Sequence, residues 1–171
     1  MSIEGTMTST AEVAIAIDED LRNLRDPRVR VSIEAFRLPT PRPIRLAWDY
    51  GQPGETFDGW LVFEDQGQRT GIVYCENDFG PTSPWGLITT GETCPSMGMD
   101  SGWFRRFIEA YLDSFSATDL PIWTVVRWTQ GESSREHITK ELPWEEAWSL
   151  VDSFKEQDPG HLYGCEHNIV Y

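Results

Sequence analysis

The chain reads as an α+β protein: a mostly antiparallel sheet of about five or six strands with two or three helices packed on one face. Three observations point there. Several segments alternate apolar and polar side chains with the period of two that a half-buried strand requires. Two such segments flank a short polar turn in the first half, and two later segments carry apolar stripes at helical spacing.

The first element is a helix. Ser9-Thr10-Ala11-Glu12 matches a capping box, and Val13, Ile17, Leu21 and Leu24 then fall on one helical face, although Val13, Ile15 and Ile17 also alternate as a strand would. Arg25-Asp26-Pro27 ends that helix, because proline disfavours helical geometry in the residue before it. Val29, Val31, Ile33 and Ala35 alternate with Arg28, Arg30, Ser32 and Glu34, which predicts a strand. A proline-rich crossing, LPTPRP, leads to a second alternation at Ile44, Leu46, Trp48 and Tyr50, closed by the turn Gly51-Gln52-Pro53-Gly54. Residues 57–65 and 68–75 form the clearest hairpin, with its turn at Gln66 and Gly67. Residues 76–102 are rich in Gly and Pro, and within them WGLITT supplies a short strand.

A helix is expected from Trp103 to Phe115, capped by Asp100 or Ser101, since Trp103, Phe104, Phe107, Ile108, Tyr111, Leu112 and Phe115 make a continuous stripe. Ile122 to Thr129 reads as a strand. Pro143 suits a helix start, Glu145 and Glu146 complement its dipole, and Trp144, Ala147, Trp148, Val151 and Phe154 share a face until Asp158-Pro159-Gly160. The tail from His161 to Tyr171 is a last short strand. The 171 residues suit a single domain over residues 11–171 behind a flexible terminus at 1–10.

Charge narrows the function. Lys and Arg number 14 against 28 Asp and Glu, for a net charge of −14. Residues 1–50 hold 7 Arg against 8 acids, whereas residues 51–171 hold 7 basic side chains against 20 acids, a net of −13. Such a surface repels a phosphate backbone, so nucleic acid is not the expected partner and a basic protein is. No run approaches the roughly 18 apolar residues of a membrane span, and MSIEGTMTST lacks the basic start and apolar stretch of a signal peptide. The expectation is a cytoplasmic protein that does not engage a membrane.

Four constellations bear on chemistry. Cys75, Cys94 and Cys165 with three histidines lack the paired spacing of a zinc site, although His161, Cys165 and His167 cluster in the tail; no metal and no cofactor are expected. Cys94 and Cys165 carry no sign of an activated thiol, and the common nucleophile, phosphate-loop and dinucleotide motifs are absent, so no catalytic residue is assigned. Glu76, Asp78 and Asp100 with Trp85 and Trp103 would suit a small hydrolase or a sugar-binding groove if the tryptophans were exposed. The loop itself offers Glu76, Asp78, Phe79, Trp85, Glu92, Met97, Met99 and Asp100, apolar anchors among acids, as a partner-binding surface; the bland alternative is a satellite core beneath the loop.

GPTSPWGLI and SMGMDSGWFRRFIEAYLDSF, between Gly80 and Phe115, resemble a pattern found in small acidic bacterial proteins to which no activity attaches. In size, acidity and aromatic content the chain is also similar, as a class, to the immunity proteins that neutralise antibacterial toxins. That resemblance implies a non-enzymatic inhibitor of a basic toxin domain and transfers no residue. A small hydrolase or carbohydrate-binding domain, and a self-associating domain, stay open as alternatives.

Overall fold

The computed structural model describes residues 8–80, 82–131 and 133–171, so the first seven residues of the expected flexible terminus lie outside the described residues. Within the terminus Thr8 and Ser9 are tied down. The Thr8 carbonyl accepts from the Trp60 indole at 2.7 Å, and Ser9 caps the first helix. The chain divides into two compact units, one ending at Ser116 and joined by Tyr171, the other spanning Ala117–Val170.

The first unit opens with α1, Thr10–Leu21, and its capping box is present in full: Ser9 and Glu12 each satisfy the other's backbone N–H. Val13, Ile17 and Leu21 are buried as the helical spacing requires, and Ile15 is exposed, which removes the strand alternative. The expected strand at 29–35 is instead a helix, α2, Pro27–Phe36. Asp26 is the reason. Its carboxylate accepts from Arg28 N and Val29 N, Pro27 occupies the first turn where no N–H is needed, and the pair that stops α1 therefore starts α2. Val29 and Ile33 are buried, but Val31 is 70% exposed: positions four apart fit either period, and only the middle one distinguishes them. Arg30 reaches back to the Leu21 and Leu24 carbonyls at 2.8 and 2.7 Å, closing the end of α1.

The antiparallel sheet has the order β1 (Arg37–Ala47), β2 (Thr56–Asp65), β3 (Thr70–Tyr74), β4 (Trp85–Thr89), β5 (Trp103–Phe104). The predicted proline-rich crossing is thus part of β1. Pro39, Pro41 and Pro43 are two apart, and β1 is an edge, so the side lacking N–H groups can face away from β2 without cost to the ladder. The β2–β3 hairpin and the β4 strand form where the alternation places them; Asp65 ties the hairpin turn through Gln68 N, and Arg69 takes a left-handed φ of 50°.

The long helix expected at 103–115 is broken. Trp103 and Phe104 pair with Gly86 and Trp85 as β5, and helix α3 covers only Phe107–Leu112, followed by a turn of helix, α4, at Phe115–Thr118. Asp100 and Ser101 lie in a short 3-10 turn and do not cap α3. Asp20 of α1 does so from 87 residues away, accepting from Phe107 N at 2.6 Å while holding Arg106 Nε at 3.0 Å. Ser114 stops α3 by donating to the Tyr111 carbonyl at 2.6 Å. The core includes Phe63, Phe107, Ile108, Tyr111, Ile33 and Ile17, each fully buried; burying such side chains contributes about 1.5–3 kcal/mol apiece.

The second unit is a three-stranded antiparallel sheet, β7 (Glu136–His137), β6 (Trp123–Trp128), β8 (Leu162–His167), with α5 (Trp144–Gln157). Val125, Ala147, Val151 and Tyr163 form its core, with Trp123, Trp148 and Phe154 packed against them. The protein is α+β with antiparallel pairing in both sheets, and the strands fall in two sheets rather than one.

Candidate functional site

The stretch between β4 and β5 reaches back across the sheet to the end of β1. Pro95 O accepts from Ala47 N at 2.8 Å, Met97 N donates to Ala47 O at 3.0 Å, and a parallel bridge joins Ala47 to Ser96. Ser96 Oγ then donates to the Asp49 carboxylate and accepts from Gly98 N, so the turn after β1 and the end of the loop lie side by side. This geometry sorts the eight loop residues singled out from the sequence. Trp85 is 3% exposed and Met97 1%; both are core, the first against Tyr74 and Phe107, the second under the Trp103 indole, which donates to its carbonyl at 2.8 Å. Phe79 is half-buried between Trp48 and Trp103. Glu76, Asp78, Glu92, Met99 and Asp100 are exposed. The satellite core and the acidic surface are therefore both present, in different residues of one segment.

Trp103 is buried as well, so neither tryptophan offers a face to a sugar ring beside Glu76, Asp78 or Asp100, and the carbohydrate reading loses its stacking surface. Near this loop, an exposed aromatic residue comes instead from the turn after β1. Tyr50 is 65% exposed and packs edge-on against Trp48, which in turn meets Phe57 and Phe79. Met99 is 60% exposed, three residues beyond the Ser96 that bonds Asp49.

Charge is uncompensated at this end. Between Arg45 and Arg105 the only basic residue is Arg69, against Asp49, Glu55, Asp58, Glu64, Asp65, Glu76, Asp78, Glu92 and Asp100. There Asp49, Glu55, Glu76, Asp78 and Asp100 make no ion pair among the described residues, whereas Asp18, Asp20, Asp26, Glu64, Glu136 and Glu166 each hold an arginine; Glu92 is not part of this group, since it follows the other end of β4, where Thr90 N donates to the Arg69 carbonyl. Asp78 has its pKa raised, first by partial burial and then by repulsion from Glu55, and it sits at a left-handed φ of 58°. Tyr50, Trp48 and Glu55 lie outside the segment that the sequence marks as functional. A signal for them does exist: the absence of any basic residue from 46 to 68 marks the first turn as strongly as the absence from 70 to 104 marks the loop.

The cysteines are free: Cys75 belongs to the core and burial raises its thiol pKa, and burial likewise pushes Cys165 up to about 11, so these two are poor nucleophiles. Among the described residues no three His, Cys, Asp or Glu side chains are placed to hold a metal ion. The tail histidines are not alike. His161 is held by Asp158 at 2.7 Å, while His167 is half-buried against the Trp123 ring, and burial lowers its pKa. Among the described residues no helix is long and apolar enough to cross a membrane.

Fold and surface together describe an α+β protein carrying an acidic, aromatic-centred patch at one end of its five-stranded sheet. No family model, curated protein or solved structure matches the chain.

Proposed function

We propose that the protein is a non-enzymatic protein-binding module, an immunity-type inhibitor that blocks a basic antibacterial toxin domain with the acidic end of its five-stranded sheet. One observation carries the reading. Tyr50 and Met99 stand exposed beside the Trp48–Phe79 pair, and the carboxylates around them lack basic partners among the described residues. Aromatic and methionine anchors inside a charged rim are what interface hot spots are made of, and the unpaired acids raise the rate of encounter with a cationic surface. The alternative in which Glu76, Asp78 or Asp100 acts on sugar beside Trp85 and Trp103 would need faces of those two tryptophans, which are buried.

The test is affinity for a copurifying basic protein. Tyr50→Ala and Asp78→Lys are each expected to weaken the complex by about 30-fold, and raising the salt from about 50 to about 300 mM to weaken it further, chiefly through slower association. A complex indifferent to both substitutions and to salt would reject the reading. Trp85→Ala probes stability rather than binding, because Trp85 is core and its loss leaves a cavity.

A further inference from the structure

Where the chain enters α1, the sheet face that carries Trp60 and Tyr74 holds a cleft of about 370 Å³, and Thr8, whose carbonyl accepts from the Trp60 indole, is one of its walls. Its walls follow from strand register. Trp60 of β2 lies opposite Pro43 of β1 and Tyr74 of β3, and the next position along β2 on that face is Asp58, opposite Arg45. Glu76 follows Tyr74 by two residues, and the Tyr74 hydroxyl donates to its carboxylate at 2.7 Å. Gly59 lies between Asp58 and Trp60 in the lining and is kept small from the other face, where a Cβ would come within 2.9 Å of the Tyr74 carbonyl and 3.5 Å of Leu46 Cδ1. Thr8, Thr56, Phe57, Cys75 and Asn77 complete the lining, and the loop runs on from Glu76 and Asn77 to Asp78, so the cleft adjoins the acidic patch.

The chemistry of the walls selects a cation. Trp60 and Tyr74 supply aromatic surface, and Asp58 and Glu76 supply two carboxylates. Asp58 shares its charge with Arg45 at 3.5 Å, where both side chains are largely exposed, whereas Glu76 is bonded by a neutral phenol and makes no ion pair among the described residues. Burial first, and then Glu76, push Tyr74 up to about 12, so the phenol stays a donor and orients the carboxylate without neutralising it. A planar cation can stack on an indole and present two N–H groups to one carboxylate, which an ammonium cannot.

We propose that this cleft receives the guanidinium of an arginine side chain of the partner, stacked on Trp60 and bonded to Glu76. The proposal rests on the reading that the partner is basic. N-acetyl-arginine amide is the probe, and the Trp60 indole N–H signal, assigned by its loss in Trp60→Phe, is the readout. A saturable shift is expected, weakened about tenfold by Glu76→Gln and unchanged by Glu92→Gln outside the cleft. N-acetyl-citrulline amide, the neutral isostere, is expected to give no shift, and N-acetyl-lysine amide a weaker one. No saturable shift, equal binding of citrulline or lysine, or indifference to Glu76→Gln would overturn the proposal. Glu76 is exposed and the exchange keeps its shape, so an otherwise unchanged amide spectrum separates lost binding from lost folding. If the probe fails while Tyr50→Ala and Asp78→Lys still weaken the natural complex, the cleft assignment falls and the functional reading stands.

Discussion

Single residues decide where helices begin in this protein, and Asp26 is the clearest case. One carboxylate accepts two backbone N–H groups of α2 and bonds the Arg28 guanidinium. The Arg28 side chain, joined by those backbone bonds, holds the Asp26 carboxyl below its usual range. A depressed carboxyl stabilises the fold above its unfolded-state pKa, and that contribution fades as pH falls through the lower folded-state value. Asp26→Ala should therefore cost about 1–2 kcal/mol at pH 7 in a denaturant melt, with the gap to the parent narrowing below about pH 4. The same residue shows why the sequence of α2 reads as a strand. Asp-Pro stops one helix and starts another, and the local alternation of Val29, Val31 and Ile33 suits a strand until burial shows that only the outer two turn inward.

At the scale of elements, local pattern succeeds where the partner is close in sequence. The capping box of α1, the β2–β3 hairpin and the face of α5 are all legible from residues within a few positions of one another. The 103–115 stripe fails because its fate is set elsewhere: Asp20 caps α3 from α1, and Gly86 makes room for the Trp103 ring of β5. An added Cβ at Gly86 would lie 2.6 Å from that ring. Gly86→Ala is expected to destabilise the protein by about 1–3 kcal/mol through overpacking, and Gly86→Ala combined with Trp103→Leu to recover part of the loss, measured as a double-mutant cycle. The candidate site divides in the same way. Its acids can be named from the sequence because charge stays at the surface, whereas Trp85 is told from a surface anchor only by its packing against Phe107, and Met97 only by the return of the chain to Ala47.

For the whole molecule the dominant fact is a charge of −14. Like charges oppose compaction, and salt screens them, so an increase from about 10 to about 300 mM NaCl should raise the melting temperature by about 2–4 °C, which corresponds to about 1 kcal/mol. Binding through the acidic patch should respond in the opposite direction, and one buffer series measures both. A melting temperature that falls with salt would mean that the surface ion pairs of α1, β1 and β2 outweigh the repulsion.

The borders of the five-stranded sheet add a consequence for crowded solutions. One border, β1, carries three prolines that cannot donate, and the other, β5, is two residues long. Neither gives a foreign strand a ladder to extend. Even at high concentration this sheet should be a poor template for fibre growth, and any strand exchange would have to enter through the second unit, along β8.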